Sequence, residues 1–401
     1  MKRTLISVTG SFLLLAASLV ATAAPSSADP GHGQAKGHAV RVCSQASAGE
    51  AACHAYKETD PTGKPLASST PPPGALTPAG LQDAYKLTGL SSGGRTVAIV
   101  DAYGYPNLER DLGVFRSQFG LPSCTTANGC LKVVNQTGGS SLPRFNAGWA
   151  GEQALDVDAV SSACPDCKIV VVQTKSASFT DLGTGVQTAA KMPGVVAISN
   201  SYGGGDASDA SYGKYYNFPG IAVTASAGDN GYQGGSYPAS SSYVTAVGGT
   251  SLNKASNVRG WSESVWSGTG SGCSTYNAAL PAASSVTTQC ANRAMNDVAA
   301  ASDPGNGGLA VYYPTTSSSS TWGQFGGTSE ASPIIASVYA LSGNTGGAGK
   351  YANSLPYANP GALFDVTSGS NGSCPTALWC NAGTGWDGPT GLGTPNGTAA
   401  F

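Results

Sequence analysis

Five short apolar runs rich in β-branched residues constrain the fold of this chain most: 96–101, 169–172, 195–198, 221–224 and 244–247. None alternates apolar with polar residues, so each reads as a strand buried on both faces rather than as one with a wet side. Helical spacing occupies stretches between them, at 111–119, 152–161 and 182–191, and a capped helix start stands at Thr77-Pro78. Strands of that kind separated by helices predict an α/β fold, with a mostly parallel central sheet flanked by helices on both faces. In such sheets the functional groups gather beyond the carboxyl ends of the strands.

Charged residues make up 10% of the 401, and the formal net charge is −2. No basic field is present to hold nucleic acid or an anionic membrane surface, so both partner classes are excluded from the expectation. Lys2 and Arg3 precede an apolar stretch from Leu5 to Val20 and small-residue sites ending near Ala28, which reads as a secretory signal over 1–28. Residues 29–76 are polar and proline-containing and read as a short leader or propeptide-like arm. The globular domain is expected over 77–401. The ten cysteines fall into sequence-local pairs, Cys43 with Cys53, Cys124 with Cys130, Cys164 with Cys167, Cys273 with Cys290 and Cys374 with Cys380. Sequence leaves connectivity open, but an even count behind an export signal implies disulfides, with local closure the expectation. Only Cys164 and Cys167 have a spacing that also suits redox chemistry or zinc, and zinc lacks two further ligands at a matching spacing.

The segment Gly326-Gly327-Thr328-Ser329, followed by an apolar run of helical length, suits presentation of a hydroxyl at a helix N-terminus, where backbone N–H groups can hold an oxyanion. Ser329 is therefore the candidate nucleophile. Its usual base would be histidine, yet the three histidines are His32, His38 and His54, all before the expected domain. A carboxylate is the natural replacement. Glu152 and Asp156 are four residues apart on an expected helix, so they share a face, and apolar neighbours from Trp149 to Val160 argue that this helix is buried. Two carboxyls that close disfavour double ionisation. Asp229, in Gly228-Asp229-Asn230-Gly231 after an expected strand, reads on its own as a turn residue.

Taken together, Gly327-Thr328-Ser329 with Pro333, Gly151-Glu152 with Leu155-Asp156, and Ser226 to Gly231 resemble the sedolisins, serine-carboxyl peptidases with a subtilisin-like fold. Val247-Gly248-Gly249-Thr250, Asp101 and Asp365-Val366 extend the resemblance from about residue 78 to the end. The resemblance implies Ser329 as nucleophile, Glu152 as general base, Asp156 as the group orienting it, and Asp229 as the oxyanion-hole acid. A carboxylate base and a protonated acid donor both favour acidic conditions. By the same resemblance Asp365, Asp387 and the carbonyls of Val366, Gly383 and Gly385 would ligate calcium, a hard ion suited to oxygen donors. The implied protein is a secreted, acid-active, monomeric peptidase acting on proteins or peptides, with no membrane anchor after signal cleavage. Members of the family usually carry a long folded pro-domain, whereas here only residues 29–76 separate the signal from the first helix; a reduced propeptide, a surface extension and a partner contact all stay open for them. A subtilisin using Asp101 and Ser329 fails for want of a histidine in the domain. A catalytically silent binding protein on the same fold is the remaining alternative.

Overall fold

The computed structural model describes Met1 and residues 38–401, so the expected signal beyond its first residue, and residues 29–37 of the arm, lie outside the described residues. The central sheet runs in the order Trp261–Val265, Thr245–Lys254, Ala222–Ser226, Val195–Asn200, Thr96–Ala102, Lys168–Thr174, Leu131–Asn135, with Val298–Ala301 also pairing with Thr245–Lys254. All of these pairings are parallel except that of Trp261–Val265. All five expected strands are in it. Leu131–Asn135, Trp261–Val265 and Val298–Ala301 escaped expectation: the first two are edge strands that mix buried with exposed residues, and the third is an alanine-rich tract with no strand propensity to announce it.

Alternation along Thr96–Ala102 distributes the helices. Val100 points toward Gly185 of the helix Phe179–Ala189, where an added Cβ would stand 2.8 Å from the valine methyl. Its neighbour Asp101 therefore points to the opposite face, where its charge acts on Glu152 and Asp156 of the helix Ala147–Ala163. That helix is buried from Trp149 to Ala163 and packs against a second buried helix, Thr328–Ser342. The two helices that carry the acid pair and the serine thus lie side by side on one face of the sheet.

The chain reverses its direction of growth across the sheet at Thr96–Ala102, which sits between Lys168–Thr174 on one side and Val195–Asn200 on the other. A crevice opens beyond the carboxyl ends of strands at such a point. Asp101, Ser201 and Ser226 all lie at or just past those ends.

Residues 38–76 do not trail off this body. Tyr56–Glu58 pairs antiparallel with Ser320–Gly326, and Ala52–Cys53 pairs antiparallel with Tyr202–Gly205. All five disulfides close locally, Cys43–Cys53, Cys124–Cys130, Cys164–Cys167, Cys273–Cys290 and Cys374–Cys380. Cys164 and Cys167, with Asp166, are the group of His, Cys, Asp or Glu residues that draws together closely enough to suggest a metal among the described residues; their sulfurs are bonded to each other and so are not thiolate ligands.

Among the described residues one ion pair is fully buried. Arg293 donates from Nη1 to Asp297 Oδ1 at 2.9 Å and from Nη2 to Oδ2 at 2.6 Å, while the Ala246 N–H and the Tyr357 hydroxyl satisfy the same carboxylate at 2.8 Å each. Removing one partner of such a pair strands the other charge without water. Asp297→Ala should lower stability by about 3–5 kcal/mol, read as a fall in the denaturant midpoint of unfolding; an unmoved midpoint would show that the pair carries no net stability.

Candidate active site

Gly327 caps the helix Thr328–Ser342 with φ at 102°, a left-handed conformation that glycine adopts without strain. A Cβ there would stand 2.2 Å from the carbonyl oxygen of His54 and 2.8 Å from Asp229 Oδ2, so close approach also demands glycine. Ser329, second in the helix, keeps its N–H free of intrahelical partners. That N–H donates to the His54 carbonyl at 2.9 Å, and the Ser329 hydroxyl donates to the Ser201 carbonyl at 3.1 Å. Pro333, four residues on, has no N–H to return to the Ser329 carbonyl. The Ser201 hydroxyl stands 3.4 Å from that carbonyl and donates at 2.8 Å to Asp156 Oδ1, so Ser201 ties the serine helix to the acid helix.

Asn146 caps the acid helix by accepting from the Trp149 N–H. Glu152 and Asp156 follow it on one face, as expected from their spacing, and both are completely buried. Burial first, then the neighbouring charges of Asp156 and Asp101, holds the Glu152 carboxyl well above the usual carboxylate range, with the Ser329 hydroxyl opposing the rise. Neither Glu152 oxygen has a hydrogen bond of good geometry, so the hydroxyl beside it acts at longer range while it remains on the Ser201 carbonyl. Asp156 is raised by burial and then by Asp101; the Ser201 bond pulls the other way. Asp101 is raised by burial, and neither of its oxygens has a protein partner. Three carboxyls with no cation among them thus share this side of Ser329.

Asp229 approaches from the other side. Its Oδ1 accepts from the Thr328 N–H and the Thr328 hydroxyl, both at 2.8 Å, while Oδ2 is buried with no partner and faces Gly327. Burial pushes this carboxyl up to about 7 against the pull of Thr328 and Arg41. It is not the solvated turn residue that its local sequence alone suggests.

Sequence reasoning missed several residues here. Ser201 stands directly after Val195–Asn200 and could have been found from the strand-end rule; Thr328 orients Asp229 and was noted only as part of the serine segment. His54 is the larger omission. It lies in the site, 6% exposed, but its ring turns away from Ser329: Nδ1 is 2.8 Å from Ser226 Oγ. Burial, then Arg41, pushes this imidazole down to about 3. A histidine is therefore present without being within reach as the serine's base, since the serine hydroxyl is bonded elsewhere.

The expected calcium residues also converge. Asp365 Oδ2 accepts from the Gly385 N–H at 2.9 Å and Asp387 Oδ2 from the Gly383 N–H at 3.1 Å. Burial raises Asp387 to about 7, its bonds to Thr390 and Gly383 oppose the rise, and the charge of Asp365 adds to it. Val366, next to Asp365 in the chain, is 2% exposed.

No family model matches the chain. Kumamolisin of Bacillus sp. (strain MN-32) is 29% identical over 367 residues, covering 82% of this chain and 64% of that protein. Sedolisin of Pseudomonas sp. (strain 101) is 36% identical over 174 residues, 40% of this chain and 28% of that one. A solved structure of Pseudomonas sedolisin, a serine-carboxyl proteinase complexed with two molecules of pseudo-iodotyrostatin, superposes with a TM-score of 0.66 at 25% identity over 82% of this chain and 96% of that chain. In sequence and in fold the chain is similar to these sedolisin-family peptidases. Its α/β fold is accordingly subtilisin-like, as expected. The aligned region spans less than two thirds of the length of the sedolisin-family relatives it matches.

In this site the raised carboxyls have a consequence for stability. Asp229 titrates near 3.8 when unfolded and near 7 when folded. Its stabilisation is fully present below 3.8 and is lost as pH rises through about 7, up to about 4 kcal/mol. Asp101, Glu152, Asp156, Asp158 and Glu330 act in the same direction. The melting temperature should fall between pH 5 and pH 8, as read by calorimetry; a rise over that interval would contradict the neutral state assigned to these carboxyls.

Proposed function

We propose that the chain is a secreted, acid-active serine-carboxyl peptidase that hydrolyses peptide bonds of proteins or peptides through an acyl-enzyme on Ser329. The observation that carries this reading is the pairing of a serine at a helix N-terminus with buried carboxyls on both sides and no imidazole at its hydroxyl. Glu152 takes the Ser329 proton as the oxygen adds to the substrate carbonyl, and Asp156, held by Ser201, orients Glu152 and shares the charge of the pair. The oxyanion that forms is held by the Ser329 N–H and by a protonated Asp229, whose free Oδ2 is the donor. Glu152 then passes the proton to the leaving amine, and water repeats the sequence to release the acid. Protein and peptide substrates, monomeric action and export belong to the same proposal; the five disulfides suit an oxidising compartment, and among the described residues no helix is long and apolar enough to cross a membrane.

Calcium binding is known in the family, and the C-terminal loop fits it. Asp365, Asp387 and the carbonyls of Val366, Gly383 and Gly385 would hold the ion. It would neutralise the repulsion that raises Asp387 and clamp the loop, a structural role that leaves the chemistry to Ser329 and the carboxyls. Saturating calcium at about 100 times its dissociation constant would add about 2.7 kcal/mol. A chelator should lower the melting temperature of the wild type and not that of Asp387→Asn; equal responses would sink the site.

The pH dependence follows from the two roles. Glu152 must lose a proton, so activity falls at the acid end, and its raised position moves that limb up from the ordinary carboxylate range. Asp229 must keep one, so activity falls as pH rises through about 7. Hydrolysis of a denatured protein, assayed from pH 3 to 8, should trace a bell with its maximum below neutrality. Ser329→Ala should abolish it and Glu152→Gln should reduce it by about 10²–10⁴-fold. Full activity at pH 8 would overturn the mechanism, and inertness of wild type and variants alike would favour the silent binding protein.

A further inference from the structure

The segment 51–57 crosses the cleft in extended form, bonded on both sides. Upstream of His54, Ala52 pairs with Gly203 and Cys53 with Tyr202, and the His54 N–H donates to the Ser201 carbonyl at 3.2 Å. Downstream, Tyr56 pairs with Gly326 and Lys57 with Phe325. Between these two ladders lie His54 and Ala55, and the carbonyl oxygen of the peptide that joins them accepts from the Ser329 N–H at 2.9 Å and crowds the same side of Gly327 as the unpartnered Asp229 Oδ2. The His54 ring fills a pocket beside Ser226, Gly203 and Gly228; a Cβ on Gly203 would stand 2.6 Å from the ring. Main-chain pairing that holds one carbonyl at the oxyanion donors and one side chain in a pocket is how a strand is presented for cleavage.

We infer that residues 51–57 are a substrate tethered to its own cleft and that the His54–Ala55 bond is the site of a self-cleavage. The inference rests on the peptidase reading above and adds to it the bond that is cut and the residue that the pocket accepts. Ser329 Oγ adds to the His54 carbonyl carbon as Glu152 takes the hydroxyl proton. The His54 C–N bond then breaks, the proton passes to the Ala55 nitrogen, and Ala55 becomes a free α-amine. Water adds to the His54 ester, gives one proton to Glu152, and leaves a His54 carboxylate and a restored Ser329. The pocket offers the ring a hydroxyl and glycine backbone, and the nearby Arg41 cation disfavours its protonated form, which suits a neutral imidazole.

The Cys43–Cys53 disulfide lies wholly upstream of the bond, and so does not link the two products. What remains between them is non-covalent: the ladder between Ala39–Arg41 and Tyr56–Glu58, the bond from the Val42 N–H to the Ala55 carbonyl at 2.9 Å, and the pairing of Ala52–Cys53 with Tyr202–Gly205. The cut therefore allows the upstream piece to dissociate and vacate the cleft.

The test uses the full chain, purified beside Ser329→Ala and Glu152→Gln and brought from pH 8 to pH 4, with intact mass and N-terminal sequencing followed over time. Wild type should acquire Ala55 as its new N-terminus at a rate independent of protein concentration, Ser329→Ala should stay joined at His54–Ala55, and Glu152→Gln should be slowed by about 10²–10⁴-fold. Hydrolysis of a denatured protein should rise as the new terminus appears. Wild type that hydrolyses that protein while His54–Ala55 stays joined, or whose first cut falls elsewhere, overturns the inference and leaves the peptidase reading standing. Wild type inert toward both overturns the two together.

Discussion

Burial of carboxyl groups without cations is the constraint on which the site depends. Among the described residues, none of the five ion pairs includes Asp101, Glu152, Asp156 or Asp229. In water each would be an anion; in the crevice beside Ser329 each gains by holding a proton. Asp229 uses that proton to become a donor, and Glu152 and Asp156 use their mutual repulsion to share one. The contrast with Asp297 is direct, because that carboxylate is buried just as deeply but meets both guanidinium nitrogens of Arg293. The same protein thus gives one buried structural carboxylate a cation for a partner and leaves its candidate catalytic carboxyls without one, free to take up protons.

The parallel sheet was legible because a strand covered on both faces has to be apolar throughout, and 96–101, 169–172, 195–198, 221–224 and 244–247 are. Leu131–Asn135 and Val298–Ala301 were not, since an edge strand and an alanine tract carry little of that signal. The site was legible in parts for a similar reason. Glu152 and Asp156 are neighbours by helix geometry, which four residues of sequence fully specify, and Ser329 is announced by Gly327 and Pro333. Asp229 was not legible on its own, because a turn and a buried acid share the same glycine-flanked string. Its neighbour Thr328 lies 99 residues away, and only the fold joins them.

Position along the chain misleads about the histidines. His54 precedes the expected domain, yet it is in contact with the site. The elimination of imidazole as base therefore stands on orientation rather than on distance along the chain. Its ring bonds Ser226, while its main-chain carbonyl takes the Ser329 N–H.

That division between ring and carbonyl also distinguishes substrate-like binding from ordinary packing of an arm. An arm that merely covered a hydrophobic groove would bury side chains and leave its amides to water or to itself. Here the N–H and the pairings on both sides of one peptide are taken up by strands that flank the serine, while glycine at 203 leaves room for the His54 ring and glycine at 327 for the His54 carbonyl. The Cys43–Cys53 closure and the ladder between Ala39–Arg41 and Tyr56–Glu58 hold the segment extended before it meets the cleft. Pre-ordering lowers the entropic cost of binding, so a short arm can fill a cleft that a free peptide of the same length would fill only at high concentration.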